Sequence, residues 1–276
     1  MMSSELRKKA ARLRRLIRSL GSVGVAYSGG VDSTLLLAVC REVLGAEDVL
    51  ALTVVSPLIP AAERDRAAAL AKDLGVRHRT VPLNLLDRPE VAANHPDRCY
   101  HCKWAMLSRL LEIVRTEDLH TLVRGANVDD WGDYRPGTEA AEVLGVPAPL
   151  QEADFTKADV RALSREMGLS SWDRPSAACL ASRIPYGTPL TADALSRVEA
   201  AESALRRRFS LGQFRVRDHY PVARIEVPEN DICRLSRPDI RTDVVAELQA
   251  VGYRYVAVDL QGFRSGSLNE SLDRSA

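Results

Sequence analysis

Seven residues, Ser28-Gly29-Gly30-Val31-Asp32-Ser33-Thr34, limit what this chain can fold into more than any other stretch. Before them, Val23-Gly24-Val25-Ala26-Tyr27 is a short apolar run with the character of a buried parallel strand, and after them Leu35 to Cys40 read as a helix entering the core. Strand, glycine turn and helix in that order form an anion-binding geometry. Two glycines let the backbone turn sharply and present N–H groups to phosphate oxygens, and the helix N-terminus adds a partial positive charge of roughly half a unit. Ser28 and Ser33 add hydroxyl donors. Asp32 is out of place in such a cradle, because a carboxylate repels phosphate unless a cation lies between them, so it is assigned to Mg²⁺ carried by a nucleotide polyphosphate. The competing reading is plain turn and cap chemistry, which also uses Gly-Gly with Ser or Asp at a helix start.

The whole string resembles the pyrophosphate-binding (PP) loop of the N-type ATP pyrophosphatases, which split ATP to AMP and pyrophosphate, and it lacks the Gly-Lys-Ser/Thr of a Walker A loop. The resemblance implies that Ser28, Gly29, Gly30, Asp32 and Ser33 bind ATP. Beyond the loop the chain alternates as that architecture requires. Asp48 to Val55 is a second buried strand, Pro60 opens a helix with Ala67, Leu70, Ala71 and Leu74 inward until Gly75, and a third strand lies near His78 to Val81. An amphipathic helix through Trp104, Leu107, Leu110, Leu111 and Val114 precedes a strand from Leu119 to Arg124. This predicts an α/β fold, a parallel sheet with helices on both faces and the site at the carboxyl ends of its strands. The polar loop Gly125 to Asp130 reaches that same edge, so Asn127 and Asp129 are assigned to the nucleotide. Leu6, Leu13, Leu16, Ile17 and Leu20 recur at helical spacing, which favours a helix packed on the sheet over a basic targeting peptide. Thr156-Lys157-Ala158-Asp159 resembles a capping box opening a helix to Met167-Gly168.

A chain of 276 residues has room for two modest cores. The irregular run from Trp172 to Gly187 contains Pro175 and Pro185, and the boundary is expected at its end. Residues 1–187 then form the ATP domain and 188–276 a small α+β domain for substrate binding and oligomerisation. That domain reads as a helix from Ala192 to Phe209, strands from Gln213 to Arg217 and Val222 to Val227, a helix near Asp243 to Val251, and a strand from Tyr253 to Val258. Arg215 and Arg217 share a strand face at period two, suited to gripping a substrate phosphate, with two solvated arginines as the alternative. Glu226 reads equally as a metal or substrate ligand and as a surface carboxylate. The tail after Leu268 is expected to fray.

A formal net charge of +1 with no basic face argues against a nucleic-acid partner, and no run approaches the ~20 apolar residues of a membrane span. Cys40, Cys99, Cys102, Cys179 and Cys233 are odd in number with no signal peptide ahead of them, which favours a reducing cytoplasm over a disulfide framework. Cys99-x-x-Cys102 alone fits a redox pair, half a zinc site or part of an iron–sulfur site, and the lack of a second such pair weighs against structural zinc. Cys179 lies in the loop expected to face the nucleotide, and three thiolates with one open iron make a [4Fe-4S] cluster. The alternative is incidental, apolar cysteines, which is the reading for Cys40 and Cys233.

Together these residues resemble the LarE-type ATP-dependent sulfur transferases of nickel-pincer cofactor biosynthesis, nearly end to end. The resemblance rests on Ser28 to Ser33, Arg98-Cys99-Tyr100-His101-Cys102-Lys103, Gly132-Asp133-Tyr134-Arg135-Pro136-Gly137, Cys179-Leu180-Ala181-Ser182-Arg183-Ile184-Pro185-Tyr186-Gly187, and Gly262 to Asn269. It implies that a carboxylate of pyridinium-3,5-biscarboxylic acid mononucleotide is adenylated and then converted to a thiocarboxylate. It implies sulfur from a sulfide on a cluster held by Cys99, Cys102 and Cys179, with sacrifice of Cys179 to dehydroalanine as the other source. Arg183 is the expected neighbour lowering the Cys179 thiol pKa, and with Arg215, Arg217 and Glu226 it completes the expected substrate set. The resemblance also implies a symmetric homo-oligomer, a hexamer being the expected form. Rival readings are a tRNA thiolase, which should carry a basic RNA-binding segment, an amide-forming synthetase, which needs a glutaminase partner, and a non-catalytic nucleotide-binding module, which needs neither Asp32 nor a loop thiol.

Overall fold

The computed structural model describes residues 3–132, 136–175, 178–209, 211–264 and 266–271. Residues 133–135 and 265, which fall in two of the family motifs, residues 176–177, which fall in the irregular run, and the tail 272–276 lie outside the described residues. The chain divides into two compact units, Met1–Leu85 with Cys99–Ala177, and Leu86–Arg98 with Ala178–Ala276. The division therefore falls just ahead of Cys179, where the sequence puts it after Gly187, and a short earlier segment joins the second unit.

The first unit runs α1 (Ser4–Leu20), β1 (Val23–Ala26), α2 (Val31–Leu44), β2 (Val49–Val55), α3 (Ala61–Asp73) and β3 (Arg77–Pro82). After α4 (Pro89–Ala92), which belongs to the second unit, it resumes with α5 (Arg98–Thr116), β4 (Thr121–Arg124), α6 (Pro136–Val143), α7 (Pro149–Glu152) and α8 (Lys157–Glu166). The four strands pair in parallel in the order β3-β2-β1-β4. Alternate residues of β2 enter opposite cores, as the two-residue strand period demands: Val49 and Ala51 join α1 and α2, whereas Leu50, Leu52 and Val54 join α5. Helices thus cover both faces. On α1 the buried positions are Leu6, Ala10, Leu13 and Ile17, one stripe at helical spacing. Helix α2 is buried nearly all round from Ser33 to Cys40, and each fully buried leucine there contributes roughly 1.5–3 kcal/mol.

The strand order reverses between β1 and β4, and loops leaving the carboxyl ends of strands on either side of such a switch enclose a crevice. The glycine loop leaves β1 and the Gly125–Asp130 run leaves β4, so topology brings both to one place.

In the second unit, α9 (Ala192–Phe209), β5 (Arg215–His219), β6 (Val222–Glu226), α10 (Glu229–Ser236), α11 (Pro238–Ala250) and β7 (Tyr255–Val258) form a three-stranded sheet ordered β5-β6-β7 under helices. Strands β5 and β6 are antiparallel, β6 and β7 parallel, and Leu205, Phe214, Ile225 and Leu248 are fully buried at its core. Helix α10 is absent from the sequence reading, and α11 begins at Pro238 rather than near Asp243, because that proline occupies the first helical turn instead of breaking a loop. Cys233 is exposed on α10 and not in an apolar setting, whereas Cys40 is fully buried and burial pushes its thiol up to about 12, leaving it inert. No helix among the described residues is long and apolar enough to cross a membrane.

Candidate active site

Gly29 takes φ 69°, and a Cβ there would stand 3.0 Å from the Cα of Ala67, so the turn lies directly on α3. Hydroxyls close the loop from within. Ser33 Oγ donates to the Gly30 carbonyl at 3.2 Å, Gly30 N–H donates to Ser28 Oγ at 3.3 Å, and the two hydroxyls stand 3.2 Å apart. A cavity of about 140 Å³ opens beside the loop, walled by Ala26, Tyr27, Ser28, Ile59 and Met106.

The loop after β4 reaches α2 through a close approach at Gly125, where a Cβ would be 2.8 Å from the Cα of Ser33. That approach sets Asn127 on Asp32: its amide nitrogen donates to Asp32 Oδ1 at 2.9 Å. The other carboxylate oxygen accepts from Lys157 Nζ at 2.5 Å. Asp129 accepts from the Lys157 backbone N–H at 2.7 Å, holding the start of α8. Thr156 and Asp159 form the reciprocal capping box, so the first turn of α8 is fixed from two sides. Lys157 was legible in sequence only as part of that cap. Its charge shows that Asp32 faces a cation, and the carboxylate is a suitable ligand for a hard divalent ion.

Cys99 and Cys102 stand three residues apart in the first two turns of α5, hence on a shared face, and both are half-buried. Lys103 beside them also walls the cavity, and burial is the main reason its ammonium lies below the usual lysine range. Among the described residues no three His, Cys, Asp or Glu side chains already stand together as a metal site.

In the second unit Cys179 is half-buried and precedes a single 3₁₀ turn, Leu180–Arg183. Arg183 Nη1 donates to the carbonyls of Ala178 and Cys179 at 3.0 and 2.9 Å, while its Nε and Nη2 pair with buried Glu202 at 2.8 and 2.9 Å. The guanidinium thereby shapes the turn. Asn94, fully buried at φ 57°, donates its amide to the carbonyls of Pro185 and Thr188, each at 2.8 Å, and accepts from Arg98. Neither Asn94 nor Arg98 stands out by sequence for this stapling role.

Arg217 is likewise committed, donating to the Ser182 carbonyl at 2.5 Å, Glu226 at 2.7 Å and Ser267 Oγ at 2.7 Å. Glu226, 1 % exposed, is not a surface carboxylate, and its two oxygens pair with Arg217 and Arg224. Arg215 differs: it gives Nη1 to the Phe214 carbonyl and lies over the Phe263 ring at 5.1 Å. Burial, then the like charges of Arg183, Arg217 and Arg206 against the opposing pull of Glu202, push its guanidinium down to about 10.

A glycine loop between a parallel strand and a buried helix, with a carboxylate at the topological switch, defines the first unit as an adenine-nucleotide enzyme of the PP-loop class. Comparison with known proteins agrees. Residues 5–97 match the NAD synthase family. The chain is 41 % identical over 273 residues to pyridinium-3,5-bisthiocarboxylic acid mononucleotide synthase of Lactiplantibacillus plantarum, covering 98 % of this chain and 97 % of that one. It is 39 % identical over 269 residues to an uncharacterised protein of Synechocystis sp., covering 98 % and 100 %. A Methanocaldococcus jannaschii protein, also uncharacterised, is 26 % identical over 241 residues, covering 87 % of this chain and 90 % of its own. The chain belongs to the pyridinium-3,5-bisthiocarboxylic acid mononucleotide synthase family.

Proposed function

We propose that the chain converts a carboxylate of pyridinium-3,5-biscarboxylic acid mononucleotide into a thiocarboxylate, driven by ATP. The observation that supports this most directly is the closure of the glycine loop, Asn127 and Lys157 around Asp32 at the switch of the parallel sheet. The substrate carboxylate attacks the α-phosphorus of ATP, the α–β bridging P–O bond breaks, and pyrophosphate leaves from an acyl adenylate. Loop N–H groups with Ser28 and Ser33 receive the charge that grows on the departing pyrophosphate, while the apolar cavity beside the loop takes the base. Asp32 would hold Mg²⁺, which supplies charge neutralisation between carboxylate and polyphosphate.

A sulfide then attacks the acyl carbon, and the C–O bond to AMP breaks with its electron pair leaving on the nucleotide, which gives the thiocarboxylate; were the Cys179 thiolate the nucleophile instead, the same displacement would give a thioester. Cys99, Cys102 and Cys179 are the residues that would hold a [4Fe-4S] cluster, which when bound supplies an open iron for an additional sulfide. Arg183 keeps the Cys179 turn in shape throughout. Incubation with ATP, Mg²⁺ and the dicarboxylate tests the assignment: AMP, pyrophosphate and a product in which sulfur replaces one oxygen should appear together. Pyrophosphate without sulfur in the product, or neither, counts against it.

Arg215 is the proposed contact for the substrate phosphate. Arg215→Ala should weaken substrate binding by about 1–3 kcal/mol with melting temperature little changed. Arg217→Ala should instead leave Glu226 with only the partly exposed Arg224 and lower stability by about 1.5–3 kcal/mol, read as a shifted denaturation midpoint. Equal Michaelis constants for Arg215→Ala and parent would remove Arg215 from the site.

A further inference from the structure

One cation near the glycine loop takes no part in adenylation or sulfur transfer as proposed. Arg174 Nη1 donates to the Gly29 carbonyl at 3.0 Å, and Nη2 donates to Glu63 in the first turn of α3. Both side chains are largely buried. The segment carrying Arg174 is itself mounted on α8, where Arg161 donates to the carbonyls of Trp172 and Arg174 at 3.0 and 2.9 Å. All of these residues lie in the first unit.

The carbonyl that Arg174 holds is half of a planar trans peptide whose other half is the Gly30 N–H. The two point in opposite directions, so fastening one directs the other, and Gly30 N–H does turn to the Ser28 hydroxyl, one of the groups assigned to the polyphosphate. Between ordinary residues, Cβ sterics would help to keep such a peptide from turning over. Here both flanking residues are glycines, Gly29 at φ 69° and Gly30 at φ −75°, so neither has a Cβ of its own to oppose rotation of the unit. Gly29 has to be glycine, since a Cβ would strike Ala67. The loop therefore needs a freedom that would spoil it as a phosphate cradle, and an outside group has to remove that freedom.

We infer that Arg174 is the positioning residue that locks the Gly29–Gly30 peptide with its N–H turned toward the nucleotide, a role that rests on the glycine loop holding the pyrophosphate of ATP. A guanidinium suits the task because its planar fork reaches a carbonyl and a carboxylate at once, which a single ammonium cannot do with the same geometry. Donation to the carbonyl also polarises the peptide and strengthens the N–H on its far side. Released from Arg174, the peptide turns its carbonyl toward the phosphates for part of the time. That places the wrong end of a dipole where negative charge develops.

The test measures pyrophosphate release by the full chain, prepared anaerobically with Mg²⁺, at saturating dicarboxylate and varied ATP. A lock predicts that kcat falls on the order of 10- to 100-fold in Arg174→Lys and Arg174→Ala, with the ATP KM rising much less. Arg174→Lys should keep its melting temperature, because the ammonium still pairs with Glu63. Arg161→Ala, which only loosens the mount, should lose less than either. Added guanidinium ion should restore rate to Arg174→Ala, where a space is left, and not to Arg174→Lys, where it is filled. Parental kcat in Arg174→Lys overturns the lock, as does a loss in Arg174→Ala that guanidinium leaves unchanged in folded protein; should Arg174→Ala fail to fold, the lysine variant decides alone. A parent that releases no pyrophosphate with ATP and dicarboxylate overturns the proposed function itself, and this shows before any variant is compared.

Discussion

Asp32→Asn should remove adenylation almost completely while leaving the chain folded. The asparagine is nearly isosteric, and its carbonyl can still accept from Asn127, so the loop after β4 stays where it is. What changes is charge. The amide cannot hold a divalent ion, and its own NH₂ group, if turned to Lys157, sets donor against donor. The stability term is small, because the Asp32–Lys157 pair is partly exposed, with side-chain exposures of 18 % and 33 %, and a pair of that kind contributes at most about 1 kcal/mol. The chemical term is large, because negative charge accumulates on pyrophosphate as the P–O bond breaks, and losing one preorganised electrostatic contact there costs about 100-fold or more in rate. Stopped-time assays of pyrophosphate release beside a thermal melt separate the two. A variant with parental release would take Asp32 out of the reaction, and one that melts far below the parent would make it a structural residue.

The first unit was legible in sequence because its signals are local. A short apolar strand, two glycines and a helix with an apolar middle identify each other within about twenty residues, and each depends only on backbone sterics and burial. The same holds for the capping box at Thr156 and Asp159, whose two reciprocal bonds span three residues. What could not be read is where long side chains end. Lys157 reaches Asp32 across 125 positions, and Arg174 reaches Gly29 across 145, so neither contact leaves a trace in the residues nearby.

The substrate arginines show the same limit in a sharper form. Period-two spacing correctly implies that Arg215 and Arg217 share a strand face, but it is silent on what stands opposite. The register pairs Arg215 with Glu226 and Arg217 with Arg224, so Arg217 meets Glu226 on the diagonal and is neutralised there. Arg183 tells a similar story. Its closeness to Cys179 in sequence suggested an effect on the thiol, whereas Glu202, from the middle of α9, claims two of its nitrogens. In both cases a carboxylate from another element pairs with the guanidinium. The turn that carries Cys179 is accordingly built from buried charge pairs and from the Asn94 staple, not from apolar packing alone. Such a turn holds its shape only while every partner is present, since a stranded buried charge costs several kcal/mol.

Cys179→Ser should abolish thiocarboxylate formation altogether, since a serine hydroxyl is neither a sulfur donor nor a soft ligand, while ATP-dependent pyrophosphate release persists for the first round. The same residue decides where the sulfur originates. With a cluster held by Cys99, Cys102 and Cys179, each single Cys→Ser should lose iron and acid-labile sulfide, because removal of one of three thiolates exposes an edge of the cluster. Cys40→Ser should keep both, as its thiol on α2 is enclosed in the core. The parent, supplied with sulfide under anaerobic conditions, should then turn over many times with its polypeptide mass unchanged. Consumption of Cys179 has a different balance: the thioester loses the cysteine α-proton, the Cβ–S bond breaks toward the thiocarboxylate, and dehydroalanine remains. The chain would then stop after one turnover, lighter by the mass of H₂S, roughly 34 Da. Iron-free protein that is fully active for one round and shows that loss would sink the cluster; iron lost together with turnover in all three serine variants, at constant parental mass, is the outcome expected.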